Sequence, residues 1–456
     1  MDILTSTLSL LSWPVTIFNF YSAIGDTVYN LFVQYSRTIL DALHLFFDSA
    51  FYVFLFLTVG LTLIFSLVAI ILFFVKEKRA EKIHLSRFPF VTIQIPTYNE
   101  LAALNCAEHC LLFDYPKNSY EIIIGDDSTD SEVSKQIDNF ASKHKDNVKV
   151  TRRGKNIGFK PGNLNHMLSY SNGKYIVIFD SDFLPKSDFL KRIIQPLEAD
   201  QNVSAVQARW VTKNFSKNTT AVLGGTIPLL THHLGLSFLN LIGSNGFIAG
   251  SAEAIRTKDL KNLGGWKSGC LTEDIEYSLR LTSRGKKIIY LDSLLCECEA
   301  PFTPNDLYRQ QMRWAYGVIS SIKLHFVSIM TNYRLGIKWK ANMLLLLAGY
   351  LATIFFFLLT VFGSLSIITH RPETIIWMEF LTKTFFNIAI TSGFILTFCL
   401  TLINAKKANE IPRMLAASYT IGVVLILVVT FGISKAVFNR PMSWFMLSKD
   451  GNTVKS

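Results

Sequence analysis

Uncharged apolar runs open and close this chain, and the middle alternates short apolar segments with polar ones. Residues 49–75 (SAFYVFLFLTVGLTLIFSLVAIILFFV) carry no charge. A bilayer core needs about 20 apolar helical residues, so this run predicts a span. It leads directly into KEKRAEK at 76–82. Lysine and arginine beside a span mark the cytosolic side, so the chain after Val75 is expected in the cytosol. Residues 3–25 are uncharged too, but hold Pro14 and many hydroxyls. They read equally as a first span or as a helix lying in the interface. Three further apolar runs follow the middle, at 341–370, 384–405 and 414–434. KKANEIPR at 406–413 reads as cytosolic, which pairs the first two runs as a hairpin and sends the third outward.

From about Phe88 to Ile337 the pattern is that of a folded domain. Apolar runs FVTIQIP (90–96), YEIIIGDD (120–127), VKVTRR (148–153), YIVIFDSD (175–182), SAVQARW (204–210) and KIIYLD (287–292) predict strands. Several are apolar on both faces and separated by helix-length polar segments, which predicts a Rossmann-like α/β fold with a mostly parallel sheet. Ligands bind such sheets outside the carboxyl ends of the strands, and the charged residues of these runs fall there. A helix is predicted from Pro304 to His325. The expected organisation is a membrane region over 1–82, an α/β domain over 83–303, interfacial helices over 304–340, a second membrane region over 341–438 and a tail over 439–456.

Composition sharpens this picture in three ways. The formal charge of +11 suits an anionic substrate or an anionic lipid surface. Nucleic acid is not an expected partner, because no zinc-finger spacing or RNA-binding signature is present. The six cysteines form no C-x-x-C pair and read as reduced thiols. The opening Met1-Asp2 lacks a basic segment, so no secretory leader is expected.

Candidate chemistry lies at the strand ends. Asp180-Ser181-Asp182 closes YIVIFDSD, and two carboxylates so spaced suit a hard divalent cation that neutralises a diphosphate. A pair of solvated loop carboxylates is the bland alternative. Asp126-Asp127, with Ser128 and Asp130 behind, ends the neighbouring strand; such crowded carboxylates call for a cation or ligand donors. Arg152, Arg153, Lys155 and Lys160 follow, in a segment whose glycines permit close backbone approach. Thr272 reads as an N-cap, placing Glu273 and Asp274 in a first helical turn. Those two acids serve either as dipole compensation or as a general base. Gln310 and Arg313 share a helix face with Trp314 beside them, suited to a diphosphate, a sugar ring or the membrane surface.

Taken in order, PTYNE (96–100), DDSTD (126–130), KPGN (160–163), DSD (180–182), TED (272–274) and QQMRW (310–314) resemble the processive membrane glycosyltransferases of family 2. Cellulose, chitin, hyaluronan and poly-N-acetylglucosamine synthases belong to that group. The resemblance implies a GT-A domain between transmembrane helices, inverting transfer from a UDP-sugar to a polysaccharide, and Mg²⁺ or Mn²⁺. It implies that Pro96, Thr97, Tyr98, Glu100, Asp127, Lys160, Asp180, Ser181 and Asp182 surround the donor, with Asp182 and Asp180 on the metal. Asp274, beside Glu273, would be the base, and Arg313 would steady the leaving diphosphate. Gln310, Arg313, Trp314, Gly250 and Ser251 would meet the acceptor.

The TED form is nearer to cellulose-type, mannan-type and poly-N-acetylglucosamine enzymes than to hyaluronan synthases. The tail segment 444–451 resembles a degenerate gating loop, which belongs in the cytosol, whereas three C-terminal spans would leave it outside. Either one run is re-entrant, the charge rule misleads at 406–413, or the tail is not a gating loop. A single-transfer enzyme acting on ceramide or polyprenyl phosphate is the alternative function. An ion-coupled transporter lacks support, since the expected spans hold no charge.

Overall fold

The computed structural model describes residues 2–75, 85, 87–370, 376–378, 380–382, 385–386 and 392–443. The basic run 76–82 and the tail segment 444–451 therefore lie outside the described residues. Two compact units emerge: Met1–Val59 with Phe355–Ala389, and Gly60–Ile354 with Ile390–Ser456.

The first unit contains most of helix α1 (Asp2–Phe74). Residues 3–25 are not a separate element, because α1 continues unbroken through them. No glycine or proline interrupts the chain between Gly25 and Ser49, so nothing stops the helix there. Within this unit Phe54 stacks on Phe362 with ring centres 5.6 Å apart.

The second unit is an α/β domain with apolar helices attached. Its elements are β1 (Val91–Thr97), α2 (Ala102–Leu111), β2 (Tyr120–Asp126), α3 (Ser131–Lys143), β3 (Val148–Thr151), α4 (Phe159–Tyr170) and β4 (Tyr175–Ile178). They continue with α5 (Phe189–Ala199), β5 (Val203–Thr212), α6 (Thr219–Leu229), α7 (Ser237–Leu241), β6 (Glu253–Arg256), α8 (Thr257–Asn262), α9 (Glu273–Ser283), β7 (Lys287–Cys298) and α10 (Pro304–Met330). A π-helical stretch, Leu230–Leu236, joins α6 to α7.

The seven strands lie in the order β3-β2-β1-β4-β6-β5-β7. All neighbours pair in parallel except β6, which runs antiparallel to β4 and β5. The sequence pattern missed β6 because Glu253–Arg256 is short and charged at both ends. It also carried the fourth strand too far, since Phe179–Asp182 leave the sheet as a turn after Ile178. One face packs Ile93, Ile95 and Val177 against Cys106, Phe189 and Ile193. The other packs Ile123, Ile178 and Ile255 against Leu164, Met167 and Leu281. Helices cover both faces, which is why these strands read as continuous apolar runs. All six cysteines are free, and Cys106, Cys110, Cys296 and Cys298 are buried.

Among the described residues, four helical stretches are long and apolar enough to cross a membrane: Tyr21–Phe74, Thr219–Leu241, Ile337–Thr369 and Ala408–Val437. The last two cover the expected spans 341–370 and 414–434. Of the expected run 384–405, the described helix is Gly393–Asn404. Thr219–Leu241 was not expected as a span, and 67% of its apolar window is buried within the protein. Part of its surface faces the helix Ile411–Val437. That same helix also carries α10: Ala315 and Ile319 pack on Val429, Ile433 and Ala436. A side chain at Gly432 would come within 2.6 Å of the Met312 carbonyl, so the two helices touch backbone to backbone.

Candidate active site

The turn after β1 begins the site. Asn99 adopts φ 52°, a left-handed conformation that asparagine tolerates better than most residues. Its amide donates to Ser128 Oγ at 2.8 Å, and its side-chain oxygen accepts from the amides of Thr129 and Asp130. Asn99 thereby ties the loop after β1 to the loop after β2.

The acidic pair ending β2 is not left for a ligand to neutralise, contrary to the expectation from crowding. Asp126 turns back into the protein, accepting from Ser134 and from Arg152 Nε at 2.8 Å. Burial pushes its pKa up, but hydrogen bonds from Ser128, Ser134 and Arg152 outweigh this and hold the carboxyl below its ordinary value. Asp130 caps α3. Asp127 receives a fork from Arg153, Nε to Oδ1 at 2.8 Å and Nη2 to Oδ2 at 2.5 Å. Two arginines adjacent in sequence thus serve two aspartates adjacent in sequence.

Lys160, in the first turn of α4, occupies the centre of the cavity's charge. Its Nζ lies 2.7 Å from Asp180 Oδ1 and 3.3 Å from Glu273 Oε1. It also donates to the Gly250 carbonyl at 2.7 Å. Burial would lower its pKa, but the charges of Asp180 and Glu273 outweigh burial and hold the ammonium protonated.

The Asp180-Ser181-Asp182 turn is fixed at each residue. The Asp180 amide donates to Ser251 Oγ at 2.9 Å, Ser181 donates to Glu100, and Asp182 Oδ2 accepts from the Glu299 amide at 3.1 Å. Beneath it the loop 249–251 is held on all sides. The Ala249 amide donates to Gln207 Oε1 at 2.7 Å, and the Gly250 amide donates to Glu253 Oε2 at 2.8 Å. Gly250 has φ 92°, and a Cβ there would lie 3.1 Å from Asp274 Oδ2. Only glycine fits this close approach without strain.

Thr272 occupies the N-cap position of α9, but its hydroxyl makes no cap bond. It is pressed against Gly317 of α10 instead, where a Cβ would come within 2.4 Å of Thr272 Cγ2. The two acids that follow are therefore not explained by a capping motif. Asp274 has its pKa pushed up to about 7, first by burial and then by the Glu273 charge. Arg313 is half-buried, and desolvation lowers its pKa, while Glu273, Asp180 and Asp274 act the other way. It makes no hydrogen bond or ion pair among the described residues.

Of the residues expected at the site, Pro96, Thr97, Tyr98, Glu100, Asp127, Lys160, Asp180, Ser181, Asp182, Gly250, Glu273, Asp274, Gln310, Arg313 and Trp314 line one cavity. Ser251 does not line it. That residue is fully buried beneath the floor, where it orients the Asp180 turn. Other wall residues were missed, Trp210 and Glu299 among them. Trp210 lies near the end of β5 and Glu299 just past the end of β7, and the ion pair of Glu299 with Lys213 (3.0 Å) is invisible in sequence. Asp180 and Asp182 are the carboxylates that could hold a cation, although Asp180 is already paired with Lys160. Among the described residues no group of three or more His, Cys, Asp or Glu side chains could hold a metal ion alone. Two carboxylates suit Mg²⁺ or Mn²⁺ that arrives with phosphate oxygens and water as its remaining ligands.

Residues 89–317 match the family described as glycosyltransferase like family 2. The chain is 34% identical over 242 residues to a probable glucomannan 4-β-mannosyltransferase 7 of Oryza sativa subsp. japonica, covering 50% of this chain and 40% of that one. It is 32% identical over 276 residues to glucomannan 4-β-mannosyltransferase 2 of Arabidopsis thaliana, covering 57% and 50%. The chain thus spans about half the length of the curated relatives it matches. A mannosyltransferase from Pyrobaculum calidifontis, solved with GDP-Man and Mn²⁺, superposes with a TM-score of 0.56. The identity is 17%, and the match covers 88% of this chain and all of that one, giving the sheet and its helices a GT-A-like fold.

Proposed function

This chain belongs to the glycosyltransferase like family 2, and we propose that it is an inverting, metal-dependent membrane glycosyltransferase that extends a polysaccharide from a nucleoside diphosphate sugar. One observation carries the reading: Asp180, Asp182, Asp274, Arg313 and Trp314, scattered over 135 positions, line a single cavity. The relatives' names make a mannosyl donor the first candidate, with GDP-mannose tested beside the UDP-sugars that the motifs imply.

Asp274 accepts the proton of the attacking hydroxyl. A pKa near 7 suits a base that must be ionised yet proton-hungry at neutral pH. As the acceptor oxygen bonds to the anomeric carbon from the opposite face, the bond to the diphosphate breaks and the configuration inverts. Arg313 meets the departing charge with donors not engaged elsewhere among the described residues. Asp180 and Asp182 would hold Mg²⁺ or Mn²⁺, which would supply positive charge to the diphosphate. Lys160 spaces the Asp180 and Glu273 carboxylates apart and keeps Gly250 under the base. Trp314 offers a flat apolar face to the acceptor end.

The long apolar helices and α10's seat on Ile411–Val437 support a multi-pass protein working at the bilayer. The basic run 76–82 supports a cytosolic site, with product passed through the membrane helices. The test is to purify the protein in detergent and supply labelled nucleotide sugars with Mg²⁺ or Mn²⁺. Product is then sized and its linkage determined. A high-mass polymer is expected. A low-mass, solvent-extractable product would convert the reading to single transfer onto lipid, and no transfer from any donor would sink it.

A further inference from the structure

Trp210, half-buried near the end of β5, stands on a cavity wall that none of the motifs above supplies. Its polar group is already spent: Nε1–H donates to the Ser251 carbonyl at 3.0 Å. What the indole offers the cavity is therefore apolar ring, with no hydrogen-bonding group to spare.

That ring is held firmly. Phe183 meets it edge-on, centroids 5.1 Å apart at 73°. His232 lies 5.2 Å away at 37°, and Tyr290 follows 5.8 Å beyond, forming a stack of three rings. His232 is fully buried and both its ring nitrogens lack hydrogen-bond partners among the described residues, so it serves as an aromatic surface behind the tryptophan. The Tyr290 hydroxyl donates to the His232 carbonyl at 3.0 Å, which pins the π-helical stretch to β7.

The indole is also tied to the cation-binding turn. Ser251 accepts from Trp210 through its carbonyl and from the Asp180 amide through its hydroxyl, and Phe183 directly follows Asp182. The wall beside it comes from Gly224 and Pro228 of α6. A sugar attached to a diphosphate on Asp180 and Asp182 must lie within reach of this neighbourhood. A hexopyranose presents an apolar C–H face, for which a rigid indole is a good partner, while its hydroxyls find the carboxylates and backbone groups of the same cavity.

Resting on the glycosyltransferase reading, we infer that Trp210 is a second sugar platform, binding a hexopyranose ring on the wall formed with α6. The ring belongs to the donor or to the acceptor end, and the experiment separates the two. Full-length wild type, Trp210→Ala and Trp210→Phe are compared in detergent for three quantities. These are binding of the free nucleoside diphosphate, binding and hydrolysis of the nucleotide sugar, and length of the polymer. Trp210→Ala is expected to bind nucleoside diphosphate as wild type does, which shows that it is folded. A donor sugar on the platform raises the Trp210→Ala KM for nucleotide sugar roughly tenfold, in hydrolysis as well as transfer. An acceptor sugar leaves hydrolysis unchanged and shortens the product. Trp210→Phe keeps much of the apolar face and retains most of the function in either case. Wild-type donor KM and wild-type product length in Trp210→Ala would overturn the platform while leaving the enzyme intact. A wild-type protein that neither binds nucleotide nor transfers would remove the enzyme reading and the platform together.

Discussion

The ammonium of Lys160 lies 2.7 Å from a carboxylate oxygen of Asp180, although the two residues come from different elements of the sheet's edge. The same nitrogen reaches Glu273, 3.3 Å away on α9. One half-buried cation thereby joins the Asp180-Ser181-Asp182 turn to the helix that carries Asp274. Lys160→Met should leave these carboxylates to repel one another and drop kcat/KM by about 10²-fold or more. Initial rates of sugar transfer check this, and near-normal turnover would leave Lys160 a bystander.

Asp274 sets the pH dependence in two opposed ways. Transfer should rise with pH through about 7, as the carboxyl loses its proton and becomes a base. Stability should move in the other direction. In the unfolded chain the carboxyl titrates near 3.9, so between about pH 4 and pH 7 the folded state holds the extra proton. This group's stabilising contribution is therefore complete below pH 4 and lost as pH climbs to 7. Asp274→Asn should abolish transfer, keep nucleotide binding and flatten this part of the stability curve. Melting curves and rates across pH 5–9 read both effects, and an unchanged rate in Asp274→Asn would remove it as base.

The floor beneath the base gives a pair of contrasting variants. Burial first, and the nearby Asp274 charge second, raise the Glu253 carboxyl well above its ordinary pKa, which favours its neutral form. Glu253→Gln presents the same carbonyl oxygen to the Gly250 amide and should retain activity. Glu253→Ala leaves that amide unpaired at a cost of about 1–3 kcal/mol. Gly250→Ala forces a positive φ on an L residue, costing about 1–3 kcal/mol, and crowds Asp274. It should lower both Tm and kcat more than donor affinity. A Glu253→Gln variant as impaired as Glu253→Ala would show the carboxyl to be ionised.

Cation binding should depend on the nucleotide. With only Asp180 and Asp182 to offer, the protein alone should bind Mn²⁺ weakly, and nucleoside diphosphate should tighten it strongly. Asp182→Ala should erase that increment. Calorimetric titration of Mn²⁺ with and without nucleotide measures it, and equal affinity in both conditions would argue against a donor-borne metal.

Much of this was legible in the linear chain because it depends on local chemistry. Apolar runs on both faces predicted buried strands, and acids at their carboxyl ends predicted a ligand edge. All but one of the residues that the resemblance assigned to the site line the cavity. Ser251 was misplaced because a hydroxyl facing a cavity and one turned beneath its floor look identical in sequence. Glycine-free helical continuity could have warned that 3–25 joins α1, whereas the four-residue β6 left almost no periodic signal.

Side-chain pairing was decided only in three dimensions. Arg152 and Arg153 neutralise Asp126 and Asp127 through contacts 26 positions apart, and no local rule assigns such partners. The Thr272 hydroxyl forgoes its cap because α10 presses on it, and Trp210 becomes a cavity wall because Phe183, Ser251 and His232 converge there from distant segments. Periodicity fixes which way a residue faces within its own element, but packing between elements determines what it meets.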